Sequence, residues 1–93
     1  MIIVHAQYQA RFREITQVAS ESFTLQQPLM SELATTIAGK YGPLMDSLLI
    51  DHSTNELNTR GTLYLNSKGR RLYMEDDLTD GETVAFMVGI AGG

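Results

Sequence analysis

The amino-acid sequence predicts a two-layer α+β domain in which one main helix packs on one face of a mixed sheet. Three observations support this fold class. The chain has 93 residues, of which 43% are hydrophobic and 19% charged, as is typical of one folded domain. Apolar and polar residues alternate over 2–9 and 83–88, which indicates strands. Between them, one stretch has apolar residues three and four apart, which indicates an amphipathic helix.

The first half of the chain predicts a hairpin followed by the main helix. Alternation over 2–9 indicates the first strand, and residues 11–15 interrupt it as a short helical turn. Alternation resumes over 22–26, in a strand expected to pair antiparallel with the first. Pro28 ends that strand because it has no N–H to donate, and Gly42 ends the helix. The apolar stripe of the helix comprises Met30, Leu33, Ala34, Ile37 and Tyr41.

The second half of the chain predicts three further strands. Residues 44–50 are apolar and are compatible with either a helical turn or a strand. Residues 61–66 alternate as a strand, and after a turn residues 70–74 are expected to form a short returning strand. Leu78 stands alone among turn-forming residues and is expected to fill the core. The last strand is predicted at 83–88.

Composition excludes several classes of function. With no cysteine, the chain has no disulfide, no thiolate metal site and no cysteine nucleophile. A net charge of -4 argues against nucleic acid as a partner, because binding to phosphates needs excess basic residues. The sequence has no signal-peptide pattern and no run of 18 apolar residues, so we expect a cytoplasmic protein without a membrane partner. We also expect Met1 and Gly93 to be the ends of a whole natural chain.

Motifs for nucleotide binding, zinc proteases and serine hydrolases are absent from the sequence. We expect no metal site. His5 and His52 are the only histidines, and their spacing suggests no third ligand. Residues 51–56 resemble a calcium loop but have glutamate where that loop needs glycine. An acidic run at 75–82 fits a solvated turn as well as a cation site.

The chain ends in two glycines, a pair expected by chance in about 0.5% of chains. The glycine pair is compatible with an ordinary frayed terminus. It is equally compatible with a thin backbone that threads through a narrow channel of a partner and presents the carboxylate of Gly93. That carboxylate is ionised, and it can attack the α-phosphate of ATP if a partner positions both. Tyr64 and Met87 are predicted on the sheet face away from the helix, where they form a candidate docking patch.

Four segments resemble the ubiquitin-like β-grasp sulfur carriers, in particular the small subunit of molybdopterin synthase and the thiamin sulfur carriers. They are Phe12-Arg13-Glu14-Ile15, Leu63-Tyr64-Leu65-Asn66, residues 78–85 and the terminal Gly92-Gly93. The resemblance covers nearly the whole chain. It implies a ubiquitin-like β-grasp domain at 1–88 and a flexible C-terminal tail at 89–93. The tail lacks the proline that the family usually has there.

The resemblance also implies a mechanism. An adenylating enzyme of the ubiquitin-activating type uses ATP to adenylate Gly93, and sulfur then replaces the adenylate to give a thiocarboxylate. The thiocarboxylate donates sulfur to an acceptor enzyme, such as the large subunit of molybdopterin synthase. The carrier is expected to bind no cofactor and to have no catalytic side chain of its own. The resemblance implies that Met87 docks on partners, and we expect Tyr64, predicted on the same sheet face, to dock with it. The residues implied to thread into a partner are Gly92, Ala91, Ile90 and Gly89.

Several alternatives stay open at this point. The sulfur acceptor could belong to thiamin synthesis or to tRNA thiolation, or the chain could be a ubiquitin-like protein modifier. A non-catalytic β-grasp interaction module is a further alternative, in which the terminal glycines have no role. The connection at 44–60 is longer than in thiamin-type carriers, which favours the molybdopterin branch.

Overall fold

The computed structural model describes residues 1–88, which form one mixed four-stranded sheet, a small two-stranded sheet and three helices. The elements are, in chain order, β1 (Ile2–Tyr8), α1 (Arg11–Thr16), β2 (Ser20–Leu25), α2 (Met30–Tyr41), α3 (Pro43–Leu49), β3 (Ile50–Asp51), β4 (Glu56–Leu57), β5 (Thr62–Leu65) and β6 (Thr83–Val88). The strand order of the large sheet is β2-β1-β6-β5, with β1 and β6 parallel and the other two pairs antiparallel. The predicted α+β fold class is confirmed.

The first hairpin follows directly from alternation in the sequence. Ile2 is opposite Leu25 and Gln7 is opposite Ser20 in the antiparallel β1–β2 pair. Side chains of a strand point alternately to the two sheet faces, so one set is buried under the helices. On β1 the buried set begins with Val4 and ends with Tyr8, and on β2 it includes Leu25. The core of the domain therefore lies between this sheet face and the helices.

The apolar stripe of α2 packs into that core, with Met30 and Ile37 fully buried. The helix ends at Gly42, whose φ of 90° is strained for other residues, and Pro43 then starts α3. The apolar stretch at 44–50 is therefore mostly helical. At 12 residues α2 is the longest helix of the described part, in which no helix is long and apolar enough to cross a membrane.

The prediction of a returning strand at 70–74 is wrong. The N–H of Leu72 donates to the carbonyl of Tyr64 at 2.8 Å, but no strand forms beside β5 at this point. The segment turns away because it supplies the N-terminus of α2, which has no side-chain cap. The carbonyls of Asp76 and Met74 accept the first two helical N–H groups at 2.9 and 3.1 Å. Capping of a distant helix thus replaces strand pairing.

Candidate functional site

The chain reaches its predicted reactive end through β6, which lies in the middle of the large sheet. Phe86 is opposite Tyr8 on one side and opposite Tyr64 on the other, and Val88 is opposite Thr62. β5 therefore pairs with the strand up to Val88, the last described residue, whereas β1 pairs with it up to Phe86. The predicted reactive and threading residues, which lie outside the described part, are Gly93, Gly92, Ala91, Ile90 and Gly89. Their roles stay predictions.

An apolar patch lies on the outer sheet face, the face away from α2. Met87 is opposite Leu63 and Ala85 is opposite Leu65 in the β5–β6 pair, so the four side chains form adjacent cross-strand pairs. All four are partly exposed, and none belongs to the buried core. We call these four residues the outer patch. Met87 belongs to it, next to the end of β6, and its docking role stays a prediction.

The rim of the outer patch is polar. Leu65 and Arg71 form an isolated antiparallel bridge, which places both residues at the same edge of the sheet. The guanidinium of Arg71 lies 5.5 Å from the ring centre of Tyr73, and both side chains are exposed. On the other side of the patch, Gln7 is opposite Ala85. An apolar centre with a polar rim is the usual composition of a protein interface.

The prediction that Tyr64 lies beside Met87 on the outer face is wrong. Tyr64 is opposite Phe86, whose side chain is fully buried, and only 1% of Tyr64 is exposed. Because side chains alternate along a strand, Leu63 and Leu65 then point to the outer face instead. Tyr64 is a core residue, and it has no surface with which to dock on a partner.

Tyr64 belongs to an aromatic cluster that packs beneath β6. The ring centre of Phe86 lies 5.5 Å from that of Tyr8, 5.6 Å from that of Phe12 and 5.7 Å from that of Tyr64. The last two pairs are edge-to-face, the arrangement that the ring quadrupole favours. Rings from β1, α1 and β5 thus fix the inner face of the strand that leads to the predicted tail.

The buried hydroxyl of Tyr64 has a hydrogen-bond acceptor inside the protein. It donates to the carbonyl of Asn58 at 2.9 Å, and the Thr62 hydroxyl donates to the same carbonyl. The side-chain amide of Asn58 donates to the carbonyl of Leu48 at 2.9 Å, which ties the start of β5 to α3. Burial raises the pKa of Tyr64 to about 12, so its phenol is neutral at physiological pH.

The two histidines pair with single side chains. His52 Nε2 lies 2.6 Å from Asp46 Oδ2, and His5 Nδ1 lies 2.7 Å from Ser22 Oγ. In the part of the chain that the structure describes, no three His, Cys, Asp or Glu side chains are grouped so that they could hold a metal ion. The described residues therefore offer no metal centre for chemistry.

Besides Glu82, whose Oε1 accepts from the N–H of Thr79 at 3.1 Å, two aspartates of the acidic run at 75–82 bind backbone N–H groups. Asp80 Oδ1 accepts from the N–H of Ile3 at 2.8 Å, which joins the run to the start of β1. Asp76 Oδ2 accepts from the N–H of Tyr73 at 2.6 Å within a turn. These contacts assign the two carboxylates a structural role.

Comparison with known proteins gives a match in structure and none in sequence. No family model and no curated protein matches the chain. The solved structures that match nearly all of it include the following three. The small archaeal modifier protein 1 of Haloferax volcanii has a TM-score of 0.80 at 12% identity, covering 97% of this chain and 100% of that one. A Pyrococcus furiosus protein described as molybdopterin converting factor, subunit 1, has a TM-score of 0.74 at 19% identity, and the match covers 97% of this chain and 100% of that one. Urm1 of Trypanosoma brucei has a TM-score of 0.70 at 22% identity, and the match covers 98% of this chain and 95% of that one.

The chain has the ubiquitin-like β-grasp fold. At these low identities the similarity establishes the fold alone. The β-grasp fold that the family resemblance implied is thus confirmed, and its last strand lies inside the sheet.

Sequence reasoning missed Leu63 and Leu65 as members of the outer patch. Thr62 and Tyr64 are two residues apart on β5, so their side chains point to the same sheet face, and their hydroxyls suggest that this face is exposed. The β-grasp core buries both residues because the carbonyl of Asn58 accepts from both hydroxyls. No local pattern in the sequence identifies that acceptor.

Proposed function

We propose that this chain is a sulfur carrier whose C-terminal carboxylate, on Gly93, is adenylated and converted to a thiocarboxylate. The observation that carries the proposal is the pair Gly92-Gly93, five residues after the central strand of a ubiquitin-like β-grasp domain. The likeness in fold to a protein described as a molybdopterin converting factor subunit supports it. We place the reaction in the cytoplasm.

The geometry of β6 suits this role. Five residues in extended conformation span at most about 17 Å, so residues 89–93 can carry a carboxylate well away from Val88. Val88 itself belongs to a strand that is held on both sides and packed from beneath. A partner that binds the outer patch would therefore receive the start of the tail at a fixed place, with only the last residues left to position.

The chemistry divides between the chain and its partners. A carboxylate oxygen of Gly93 attacks the α-phosphate of ATP on an activating enzyme, and pyrophosphate leaves. A sulfur nucleophile supplied by a partner then attacks the acyl carbon, and AMP leaves. Transfer of that sulfur to the acceptor, with water replacing it, regenerates the carboxylate. We propose that the chain binds no cofactor of its own and that the partner binds the ATP.

The outer patch is the proposed docking surface for these partners. Met87 lies at its end nearest to the tail, paired with Leu63. The apolar side chains of the patch are partly exposed, and docking would remove their remaining exposed surface from water, which lowers the free energy. Docking through the patch and capture of the tail would then act together, because both begin at β6.

For the acceptor we propose a pterin precursor of the molybdenum or tungsten cofactor, held by the large subunit of a synthase. The likeness to the Pyrococcus furiosus protein supports this choice over thiamin or tRNA thiolation. A second candidate is protein modification through the same carboxylate, which the likeness to the Haloferax volcanii modifier protein favours. The two differ only in the nucleophile that meets the activated carboxylate.

Intact-mass spectrometry tests the proposal. After incubation with the activating enzyme of the source organism, ATP and a sulfur donor, the chain should gain the mass of an oxygen-to-sulfur exchange. A chain with one residue added after Gly93 is the matched control and should gain nothing, because its carboxylate is displaced. Equal sulfur incorporation in both chains, or cofactor synthesis supported by a chain lacking Gly93, would contradict the proposal.

A further inference from the structure

An activated carboxylate is an acyl donor, and the side-chain amines of the chain itself are possible acceptors. The sequence contains only two lysines, Lys40 and Lys68. They lie in different surroundings, on α2 and in the turn that follows β5. The structure therefore allows the two amines to be ranked as nucleophiles.

Lys40 is held by an acidic partner. Its Nζ lies 2.5 Å from Glu21 Oε1, in an ion pair whose carboxylate is largely buried. The same ammonium lies 5.5 Å from the ring centre of Phe23 and 5.4 Å from that of Tyr41, where the ring faces favour a cation. The hydrogen bond to Glu21 raises the pKa of Lys40. Its amine is thus kept protonated and engaged, and a protonated amine is no nucleophile.

Lys68 has none of these restraints. It lies in the turn at 66–69, its side chain is exposed, and it makes no ion pair or side-chain hydrogen bond with any other residue of 1–88. The backbone beneath it is fixed, because Asn66 Oδ1 accepts from the N–H groups of Lys68 and Arg70 at 2.9 Å. Gly69, with φ of 77°, completes the turn. A rigid turn thus presents a free amine.

The turn lies at the opposite end of β6 from the predicted tail. Ser67 Oγ accepts from the N–H of Thr83, the first residue of β6, at 3.1 Å. Val88 is five residues further along that strand, which corresponds to about 17 Å at the usual rise of a strand. A protein attached at Lys68 would therefore leave the end of β6 accessible.

We propose that Lys68 is the acceptor amine for the activated Gly93 of a second copy of this chain, which joins the two copies head to tail. The proposal rests on the proposed function for the activation of Gly93. The neutral amine attacks the acyl carbon of the Gly93 adenylate, a C–N bond forms, the C–O bond to AMP breaks, and the proton passes to solvent. No oxidant or reductant takes part.

Linkage at Lys68 gives an open chain of copies. The acceptor copy still has its own tail at the far end of β6, and the donor copy still has its own Lys68. Because the two linked surfaces differ, the contact is heterologous and can repeat without closing on itself. We expect dimers first and longer chains at higher protein concentration.

Chemical activation tests the choice of amine without any partner enzyme. The full 93-residue chain is prepared with an acetylated N-terminus and a C-terminal 2-mercaptoethanesulfonate thioester, and it serves as both donor and acceptor. Cleavage after glutamate places Lys68 in fragment 57–75 and Lys40 in fragment 33–56, and it leaves residues 83–93 as the branch. We expect the branch on 57–75 in about tenfold excess, the factor that one strong charge-assisted contact on Lys40 provides. Lys68→Arg should reduce linked dimers about tenfold, to those formed through Lys40, and Lys40→Arg should leave them nearly unchanged.

Three outcomes overturn the proposal. They are branches shared equally between the two fragments, dimers that form undiminished in Lys68→Arg, and a branched product with the mass of one chain. Because activation is chemical, these outcomes leave the proposed function untouched. Conversely, failure of the activating enzyme to modify Gly93 would refute the proposed function while the preference for Lys68 still stood.

Discussion

At the scale of single residues, the buried hydroxyl of Tyr64 connects two parts of the domain. It reaches a carbonyl in the loop before β5, and its ring packs against β6. A buried phenol without an acceptor would cost free energy, so the loop and the ring hold each other in place. Neither contact is visible in the local sequence, because Asn58 and Phe86 are known as neighbours only after the sheet has formed.

Tyr64→Phe should lower the free energy of unfolding by about 1 kcal/mol at pH 7, the usual contribution of one hydrogen bond. The pKa of Tyr64 rises from 10.0 to about 12 on folding, so its stabilising effect is complete below pH 10 and is lost as the pH rises towards 12. At pH 11 wild type should therefore have lost about 1 kcal/mol that Tyr64→Phe keeps. Urea unfolding at both pH values measures this.

Tyr73→Phe is the matched control, because the Tyr73 side chain is 49% exposed. It should change stability by less than about 0.5 kcal/mol at either pH. A constant deficit of Tyr64→Phe between pH 7 and pH 11 would contradict the burial of an uncharged phenol.

At the scale of elements, Glu21 joins β1, β2 and α2. Its carboxylate accepts from the hydroxyl of Tyr8 at 2.8 Å, from the hydroxyl of Tyr41, and from Lys40 Nζ at 2.5 Å. Partial burial of Glu21 opposes ionisation, but the three donors outweigh it and lower the pKa of the carboxyl. The pairing of the hairpin with the main helix thus depends on one charge.

Glu21→Gln should destabilise the domain by about 1–3 kcal/mol at pH 7, because hydrogen bonds to a charged acceptor are the stronger ones. The pKa of Glu21 is lowered from 4.5 on folding, so its contribution is present above that pH and is lost as the pH falls through the folded-state pKa. The deficit of the variant should therefore shrink in acid. Thermal unfolding at pH 7 and pH 3 provides the comparison.

The control for Glu21→Gln is Glu14→Gln, at an exposed carboxylate on α1. If the two variants have equal stability at pH 7, the carboxylate of Glu21 does not join these elements.

Elements with a complete local signal could be predicted from the sequence, and those defined by distant partners could not. The strand at 2–8 and the helix at 30–41 have periodic patterns that match their burial. The segment at 70–74 has a strand-like pattern but caps a helix 40 residues earlier in the chain. For β5 the alternation of side chains was predicted correctly, but the buried sheet face was assigned wrongly. The reason is that the carbonyl that accepts from the hydroxyls of Thr62 and Tyr64 lies outside the strand.

At the scale of the whole molecule, the two ends of the large sheet differ. β1 and β6 run parallel, so both begin near the acidic run, where Asp80 binds Ile3, and both end on the side of α1. Arg11 and Arg13 lie on that helix. Glu14 lies there too, but the acidic run is at the opposite end of the sheet from the end of β6, where the proposed activating enzyme would bring the anionic phosphates of ATP.

The outer patch gives a test at this scale. Met87→Asp puts a charge in the patch, at the end nearest to the tail, and should reduce thiocarboxylate formation by the activating enzyme about tenfold or more, because an unpaired charge is costly to bury in an interface. Thr24→Asp, exposed on the edge strand β2, is the control and should leave the rate within about twofold of wild type. The readout is the rate of mass gain at limiting enzyme, with urea unfolding to confirm that both variants are folded. Equal rates in the two variants would exclude the outer patch as the docking surface.

The central place of β6 in the sheet also has a consequence for biosynthesis. A ribosome makes this strand after every other element of the domain, so β1 lacks its parallel neighbour until residues 83–88 have left the exit tunnel. Nascent chains that stop earlier would expose Val4 and Tyr8 to the chaperones and proteases that recognise unfinished proteins. Only molecules translated through β6 can complete the sheet, so the order of synthesis itself keeps chains that stop before this strand out of the folded pool.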